Sequence, residues 1–259
     1  MTETAADRTG RQPSIDRAFG VLEAMASNGG RLSLSEIAGV VGLSVPSVHR
    51  LVQTLVRLGY VRQEASRRYA LAPSLIRLGD GAAKQFGTWA NPVLADLVDQ
   101  IGESANMATL EGTHAVYVAQ VAGRHALRMF TEVGRRVPVH STGVGKALLS
   151  QIPDPSAARL LSVAGLPRIT DHTVTDVPTI LEELAAARAI GYSTDNGEHE
   201  VGVSCVAVPV PEAPTLTAIS ISAPTPRMTP DVRRRAAAAL KDAARTMTAR
   251  FIAADLTFD

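Results

Sequence analysis

Apolar residues near the start of the chain recur at the spacing of an α-helix in three successive segments. The first segment is predicted to begin at Ser14 and to end at the turn-forming residues 28–30. The second opens with a capping box, in which Ser33 is the N-cap and Glu36 stands at the N3 position, and it ends near Gly42. The apolar positions of the first segment are Ile15, Ala18, Val21, Leu22 and Met25.

The third segment, LSVPSVHRLVQTLVRLGYV at positions 43–61, carries two different faces. It is predicted to form a helix with Ser44 as its cap, Pro46 in its first turn and Gly59 at its C-terminal stop. At about 100° per residue, one side is apolar and packs on the two preceding helices, while the opposite side is polar. The apolar side consists of Val48, Leu51, Val52, Leu55 and Leu58, and the polar side of Ser47, Arg50, Thr54 and Arg57, with Gln53 at its edge.

The next stretch, YVRQEASRRYAL, is predicted to form a β-hairpin. Two short segments of β-type residues flank EAS, and Arg67 and Arg68 make the tip basic. Three helices followed by a hairpin is the element order of a winged helix-turn-helix, and the turn between the second and third helices is short and contains Gly42. We therefore assign residues 11–73 to a winged helix-turn-helix domain.

The segment after this domain is predicted to connect it to a second one. A helix is expected over about 73–86, then a hinge in QFGTWAN around Gly87, then a further helix over about 92–101. Residues 74–90 are accordingly assigned to a linker helix and hinge, and residues 91–255 to a rear domain.

The rear domain alternates between strand-like and helix-like patterns. The last two strand patterns, VGVSCVAVPV and LTAISISA, are joined by PEAPT and are predicted to pair antiparallel. The predicted fold class is α+β, with a central antiparallel sheet flanked by helices. The other strand patterns are NMATL, AVYVAQV and ALRMFTEV, and the helical patterns are GVGKALLS, DPSAARLLSVAG, VPTILEELAAARAIG and a long final helix that opens at Thr229 and Pro230.

The composition adds a charge asymmetry to this picture. The chain has 259 residues, 46% of them hydrophobic, which is enough for about two domains with real cores. Its net charge is +1, but positions 1–88 carry 11 basic and 7 acidic residues, whereas the remainder carries 15 basic and 18 acidic residues. A basic front half favours a polyanionic partner there.

Nothing in the sequence predicts export or membrane insertion. The polar start MTETAADRTGRQP lacks the apolar core of a signal peptide, and no run of about 18 apolar residues occurs. The single cysteine, Cys205, excludes an internal disulfide and fits a reducing compartment. We therefore expect a cytoplasmic protein with no membrane partner.

The polar face of the third helix and the hairpin tip have the chemistry of an interface for double-stranded DNA. In a winged helix-turn-helix the third helix enters the major groove, where Arg50 can bond a phosphate or guanine and Gln53 can read adenine. Basic residues on the wing would neutralise phosphate or enter the minor groove. The alternative is an ordinary solvated helix face. The predicted DNA-binding residues are Ser44, Ser47, Val48, His49, Arg50, Gln53, Thr54, Arg57, Arg67 and Arg68.

The Gly-rich stretch HSTGVGKALL in the rear domain suggests a site for an anion. It fails the phosphate-loop template, because Ala147 follows Lys146 where Ser or Thr is required. The turn through residues 141–143 would instead aim backbone N–H groups at a small anion, or merely cap a helix. Cys205 lies in an apolar strand, so a buried, inert thiol is favoured over a nucleophile.

Two further polar groups in the rear domain have both functional and structural interpretations. Ser220 and Ser222 alternate with isoleucines and so share one strand face, where a ligand, the backbone or water could satisfy them. The stretch DNGEHE offers one histidine among acidic residues, which is more typical of a solvated turn than of a metal centre. We predict no metal site, no cofactor and no catalytic residue.

The same stretches resemble a known family, the IclR-type bacterial transcription regulators. SIDRAFGVLEAMA, LSLSEIAGVVGLSVPSVHRLVQTLVRLGYV and RRYALAPSLIRLG resemble the N-terminal domain of that family. VPVHSTGVGKALLS, IGYSTDNGEHEVGVSCVAVPV and AISISAP resemble its effector-binding domain, so the resemblance runs from about Ser14 to Phe251. It implies a GAF-like rear domain and assembly as a homodimer or homotetramer.

The resemblance also implies a set of effector-binding residues. In this family the pocket is lined by a Gly-containing turn, an acidic residue, a cysteine and two serines, and its effectors include small organic acids. Val144 is bulkier than the small residue of some small-acid sensors, which would make the pocket tighter or more apolar. Carried onto this sequence, the predicted effector-binding residues are Gly143, Val144, Asp195, Cys205, Ser220 and Ser222.

The sequence therefore predicts a transcription factor without catalytic activity, whose binding to an operator depends on a small molecule. Two alternatives stay open. The rear domain could be an enzyme, or it could serve only to oligomerise an architectural DNA-binding protein. The sequence names neither the effector nor the operator.

Overall fold

The computed structural model describes residues 14–129 and 131–255, and contacts within the chain divide it after Gly81 into two compact units. Each unit has its own buried hydrophobic residues, one cluster in the first unit and two in the second. No helix in the described part of the chain is long and apolar enough to cross a membrane. The predicted first residues of the front domain, 11–13, lie outside the described residues, and the predicted domain limits remain predictions.

The first unit is a winged helix-turn-helix, as predicted. Its three-stranded antiparallel sheet has the order β1-β3-β2. The two-residue strand β1 was not predicted, because so short a segment shows no periodicity. The elements are α1 (Ser14–Ser27), β1 (Arg31–Leu32), α2 (Leu34–Val41), α3 (Val45–Arg57), β2 (Val61–Gln63) and β3 (Tyr69–Leu71).

Local hydrogen bonds set the limits of α2 and the start of α3. The predicted capping box is confirmed: the Glu36 N–H donates to Ser33 Oγ at 3.3 Å, and the Ser33 N–H donates to the Glu36 carboxylate at 2.7 Å. Gly42 ends α2 at φ 67°, a conformation that glycine adopts without steric cost. Ser44 holds the N-cap position of α3, but its hydroxyl bonds to Ser47 Oγ at 2.9 Å and makes no capping bond.

The apolar side of α3 packs against α1 and α2 in the core of the first unit. Val48, Val52 and Leu55 are buried there and Leu51 is partly buried, which confirms most of the predicted face. The prediction was wrong for Leu58, which is 55% exposed, because it lies at the C-cap, beyond the last helical residue.

The segment after the first unit forms one continuous helix, α4 (Ser74–Ile101), so the predicted interruption between two helices around Gly87 was wrong. Pro92 lies inside this helix, where it lacks the N–H that would bond the residue four positions earlier. A stripe of buried residues on both sides of the proline packs on the rear domain's core and outweighs that loss. These residues are Ala90, Val93, Leu94, Leu97 and Val98.

The rear unit is built on a six-stranded antiparallel sheet with the order β6-β5-β4-β9-β8-β7, and it confirms the predicted α+β class. The pairing of β8 with β9 is antiparallel, as predicted, and sets Cys205 opposite Ser222. The strands are β4 (Ser104–Glu111), β5 (His114–Val121), β6 (Arg136–Pro138), β7 (Ser193–Asn196), β8 (Val203–Val210) and β9 (Thr217–Pro224).

Helices cover both faces of this sheet. One face packs on α4 and α8 through side chains that include Met107, Ile219 and Ile221. The other face packs on α5, α6 and α7 through smaller side chains that include Ala108, Ala207 and Ala218. Small residues on this face let α5 approach the strands closely. The helices are α5 (Gly143–Leu149), α6 (Asp154–Ala164), α7 (Val177–Ile190) and α8 (Pro230–Asp255).

One predicted strand, ALRMFTEV at positions 126–133, was wrong. The described residues of this stretch belong to a loop between β5 and β6. Leu127 is 73% exposed, and the Met129 carbonyl accepts a hydrogen bond from Ser104 Oγ at 2.6 Å, so the loop is held by a side chain in place of a neighbouring strand.

Replacing the proline inside α4 tests whether the helix is continuous. Pro92 is exposed, so Pro92→Ala removes no buried contact and restores one backbone N–H donor. We expect the free energy of unfolding to rise by about 1–2 kcal/mol, the gain in helix propensity less the loss of rigidity in the unfolded chain. Urea denaturation followed by circular dichroism measures this change.

Asn91→Ala is the matched control, because Asn91 is the exposed neighbour and its replacement changes helix propensity by only about 0.7 kcal/mol. A Pro92→Ala variant no more stable than the Asn91→Ala variant would show that the helix is interrupted at this point.

Candidate functional site

The polar side of α3 is accessible. Arg50, Thr54 and Arg57 are exposed and Ser47 is half-buried, while the opposite side of the helix forms the core. Residues three and four positions apart share a helix face, so these four side chains form one strip, called here the α3 polar face.

Two arginines of the α3 polar face are not engaged within the domain. Gln53 Nε2 donates to the Tyr69 hydroxyl at 3.3 Å, and Thr54 Oγ1 donates to the Arg50 carbonyl at 3.1 Å. In contrast, no hydrogen bond or ion pair within residues 14–129 and 131–255 engages the guanidinium group of Arg50 or Arg57. Such groups can bond a phosphate without first breaking an existing pair.

The two arginines at the hairpin tip differ in their contacts. Arg68 Nη2 bonds to the Glu36 carboxylate at 2.9 Å and to the Arg31 carbonyl at 3.2 Å, so its charge joins the wing to the first turn of α2. Arg67 is exposed at φ 61°, and no partner for its guanidinium lies among the described residues. Of the two arginines at the hairpin tip, Arg67 is therefore the one whose guanidinium group is fully available to a ligand.

The predicted DNA-binding set requires one correction. The side chain of Val48 is completely buried in the core of the first unit, so it cannot reach a base. Val48 had also been predicted on the apolar side of α3, and its burial confirms that placement. Ser44 and His49 are exposed and remain candidates.

A small cavity of about 50 Å³ lies where the start of α5 meets the sheet. It brings together Gly143, Asp195, Cys205 and Ser222, which come from α5, β7, β8 and β9. Four of the six predicted effector-binding residues therefore line one cavity, although they are separated by up to 79 positions in the chain.

The other two predicted residues do not line this cavity. Val144 is fully buried in the core between α5 and the sheet, which corrects its predicted role. Ser220 is fully buried on the same strand face as Ser222, and its Oγ has no hydrogen-bond partner among the described residues. The predicted alternation along β9 is confirmed, since Ile219 and Ile221 pack on the opposite face.

Sequence reasoning missed most of the remaining wall. His199 and Glu200 had been considered only as possible metal ligands, and Thr142 as part of the candidate anion-binding turn or as a helix cap. Thr142 does cap α5, accepting from the Gly145 N–H at 3.1 Å. The residues that also line the cavity are Tyr117, Met129, Thr131, Arg135, Val137, Thr142, His199, Glu200 and Val203.

Asp195 is the buried acid of the cavity, with 4% of its surface exposed. Burial is the main cause that raises the pKa of its carboxyl, to a net value of about 7. A hydrogen bond from the Glu198 N–H at 2.7 Å opposes that rise by favouring the ionised form, and the nearby charge of Glu198 adds to it. At neutral pH a substantial fraction of Asp195 is therefore uncharged and can donate a hydrogen bond to a ligand.

A buried ion cluster holds the segment after Asp195. Lys146 Nζ is 3% exposed and contacts both carboxylate oxygens of Glu198 and one oxygen of Glu183, each at 2.7 Å. The hydroxyls of Thr170 and Thr173 donate at 2.7 Å to the carbonyls of residues 197 and 198. The cluster ties α5, α7 and the β7–β8 segment together behind the cavity.

Burial also shifts the pKa values of two other groups that line the cavity, His199 and Cys205. Burial lowers the pKa of His199, whose Nδ1 lies 3.3 Å from Ser141 Oγ, and the charge of Arg135 lowers it further. Burial raises the pKa of the Cys205 thiol to about 12, so the thiol stays protonated. The described residues contain no group of three or more His, Cys, Asp or Glu side chains that could hold a metal ion.

These observations define a class of protein. A winged helix-turn-helix with a free cationic face, on the same chain as an α+β domain with a small polar cavity, is the arrangement of a ligand-responsive DNA-binding regulator. The model of the IclR helix-turn-helix domain matches residues 14–65, and the model of the bacterial transcriptional regulator IclR C-terminal domain matches residues 85–249. The chain belongs to the IclR family of transcriptional regulators.

Individual relatives agree with this assignment. The transcriptional repressor IclR of Escherichia coli strain K12 is 33% identical over 87% of this chain and 85% of its own length. An IclR transcriptional regulator from Alicyclobacillus acidocaldarius has the same fold, with a TM-score of 0.80, 28% identity and coverage of 93% of this chain and 100% of that structure.

A third relative has been solved with a ligand. It is an IclR homologue from Microbacterium hydrocarbonoxydans complexed with 4-hydroxybenzoate, with a TM-score of 0.70 over 90% of this chain and 99% of that structure. Its sequence is 24% identical, which supports a shared fold.

The buried carboxyl of Asp195 generates a prediction about pH. Its pKa in the folded chain, about 7, lies above its ordinary value of 3.8, so the folded state keeps a proton that the unfolded state releases near pH 4. Below about pH 4 the carboxyl of Asp195 is protonated in both states and does not reduce the free energy of unfolding. As the pH rises from about 4 to about 7, the unfolded state releases the proton more readily, so the folded state loses stability. Asp195→Asn should therefore gain about 2–4 kcal/mol relative to the unaltered chain between pH 4 and pH 8.

Urea unfolding at several pH values measures that difference. Asp171→Asn is the control, since it makes the same charge change at an exposed position. Parallel pH profiles for Asp195→Asn and the unaltered chain would refute a raised pKa at Asp195.

Proposed function

We propose that this regulator binds its operator through the α3 polar face and the hairpin tip, and that a small organic acid in the rear cavity changes that binding. The observation that carries the first part is the set of unengaged cations at Arg50, Arg57 and Arg67. Each such cation that meets a phosphate releases a condensed counterion, which favours binding and makes it depend on salt. Of the two arginines of the α3 polar face, Arg50 lies in the N-terminal half of the helix, the part that reads base edges in this fold.

The size and polarity of the cavity support the second part of the proposal. A cavity of about 50 Å³ is smaller than the roughly 150 Å³ that accommodates benzene in an engineered protein core, so an aliphatic acid of few atoms suits this conformation. The Microbacterium hydrocarbonoxydans homologue binds a carboxylic acid, 4-hydroxybenzoate. An effector alters operator binding only through a difference in its affinity for the two DNA-binding states of the protein.

We propose no catalytic role for the rear domain. The Cys205 thiol, which the sequence offered as a candidate nucleophile, is protonated at neutral pH, and no histidine ring in the described residues bonds to it. We further propose that the chain works in the bacterial cytoplasm as a homodimer or homotetramer, because a dimer matches the two half-sites of a palindromic operator.

Arg50→Ala tests the DNA-binding role of the α3 polar face. Arg50 is exposed and its side chain makes no described contact, so its removal leaves the domain folded. We expect the dissociation constant for the operator to rise by about 10-fold or more, and the dependence on salt to weaken by about one ion if the contact is to phosphate. Fluorescence anisotropy at several salt concentrations, on a duplex found by mapping the bound chromosomal sites, measures both.

Arg62→Ala is the matched control, because its guanidinium already pairs with Glu64 at 3.3 Å. We expect a smaller effect from it. Equal affinities for the unaltered chain and the Arg50→Ala variant at matched salt would mean that α3 faces the DNA differently.

Gly143→Ala tests the effector role of the cavity. A methyl group at this position would lie 2.9 Å from Cys205 Sγ and 3.6 Å from the Ala207 Cβ, so it would press on the sheet and fill part of the cavity. We expect about 1–3 kcal/mol of destabilisation and loss of the response to organic acids. Thermal denaturation and operator release, each with a panel of small carboxylic acids, measure the two effects.

Cys205→Ala in the same chain removes the sulfur that the new methyl group meets, so the double variant should recover part of the stability and of the response. An unchanged acid response in Gly143→Ala would place the effector elsewhere.

A further inference from the structure

The small cavity has a cation in its wall that sequence reasoning did not predict. Arg135 is exposed, lines the cavity, and lies in the short stretch that leads from the β5–β6 loop into β6. Two acidic residues line the same cavity: the buried Asp195 and Glu200, which is exposed and whose charge is therefore screened by solvent.

The backbone around Arg135 is anchored while its guanidinium group is not. The Tyr117 N–H donates to the Arg135 carbonyl at 3.1 Å, and the Gly134 N–H donates to the Tyr117 carbonyl at 2.7 Å, which fixes this turn on β5. No hydrogen bond or ion pair among the described residues engages the Arg135 guanidinium, whereas the adjacent Arg136 bonds to Glu111 at 3.4 Å. Arg136 therefore stabilises the fold through its ion pair, whereas the guanidinium group of Arg135 is available to a ligand.

The charge of Arg135 influences the pKa values of two residues that line the cavity. It lowers the pKa of His199 and opposes the rise in the pKa of Tyr117, and both of these residues line the cavity. Since Arg135 also lines the cavity, its charge is close enough to attract an anion bound there.

Neither of the other basic groups around the cavity is available to a ligand. Lys146 contacts Glu198 and Glu183 and does not line the cavity. His199 is neutral because burial lowers its pKa. An anionic ligand in this part of the described chain therefore has Arg135 as its cationic partner.

The acidic side of the cavity limits what the rest of that ligand can be. Asp195 is buried, and the carboxylate of Glu198 lies behind it with its charge shared by Lys146. A second carboxylate on the ligand would face this side without a counterion, which costs free energy in a poorly solvated site. An uncharged oxo, hydroxyl or amide group can instead accept or donate a hydrogen bond there.

We propose that Arg135 binds the carboxylate of the effector and that Asp195 selects an uncharged group at its other end, so that the cavity takes monocarboxylates and rejects dicarboxylates. This rests on the proposed effector role of the rear domain. Arg135 acts here as a binding and specificity-determining residue.

Isothermal titration of the full-length chain tests the proposal with defined probes. The monocarboxylates are acetate, pyruvate, lactate and 4-hydroxybenzoate, the uncharged probes are acetamide, lactamide and 4-hydroxybenzamide, and the dicarboxylates are malonate and succinate. We expect at least one monocarboxylate to bind. Its amide should bind about 10- to 100-fold more weakly, because the hydrogen bond between charged groups at Arg135 is lost. The dicarboxylates should bind more weakly still, because their second carboxylate has no counterion.

Arg135→Ala should weaken monocarboxylate binding by about 10- to 100-fold, and Arg135→Lys should restore part of it by returning the charge. Arg136→Ala is the matched control and should leave acid binding unchanged, since its charge pairs with Glu111 away from the cavity. The melting temperature of each variant without ligand verifies that the fold is intact, and Arg135 is exposed, so its replacement should not change it.

The outcomes separate this inference from the proposed effector role. Equal acid binding by the unaltered chain and Arg135→Ala, or tighter binding of a dicarboxylate or an amide than of the matched monocarboxylate, would overturn the inference and leave the effector role standing. If the unaltered chain bound none of the probes, the inference would be overturned as well. A broader screen that also found no ligand would then count against the effector role itself.

Discussion

The rear domain depends on a close contact between the backbone of α5 and the segment that precedes it. A side chain at Gly145 would lie 2.3 Å from the Val139 carbonyl oxygen and 2.4 Å from the Val139 Cα, distances that no real Cβ adopts. Gly143 is limited in the same way by Cys205 on β8. Glycine at position 143 lets the start of the helix lie directly on the sheet, and glycine at position 145 lets it pass close to Val139. The small cavity lies where the helix begins.

This close contact has an electrostatic consequence one residue further along. Because α5 is pressed on the sheet, Lys146 is buried and needs acidic partners, which Glu198 and Glu183 provide. A buried ion pair is weak evidence for added stability, since desolvation offsets the attraction, but removing one partner is costly. The cluster therefore acts mainly by fixing position: it holds the segment that follows Asp195, and with it one wall of the cavity, against the helix.

Features with a local cause could be predicted from the sequence, and features with a distant cause could not. The capping box at Ser33 and the turn at Gly42 follow from side chains within a few residues, and the structure has both. The continuity of α4 across Pro92 depends on packing against strands far along the chain, so local propensity gave the wrong answer. The resemblance to a family identified four residues of the cavity, but Arg135 arrives there through a loop that shows no periodic pattern.

The contacts of the arginines distinguish residues that hold the fold from residues that are free to bind. Arg68 and Arg136 are basic and solvent-accessible, yet each is paired with an acid of its own domain, and withdrawing either for a ligand would break that pair. Arg67 and Arg135 are their immediate neighbours and have no such partner in the described chain. Charge alone does not separate these adjacent residues, since their side chains are identical. The difference arises because the fold places a carboxylate within reach of Arg68 and of Arg136, so that the charges of Arg67 and Arg135 are the ones left without a partner among the described residues.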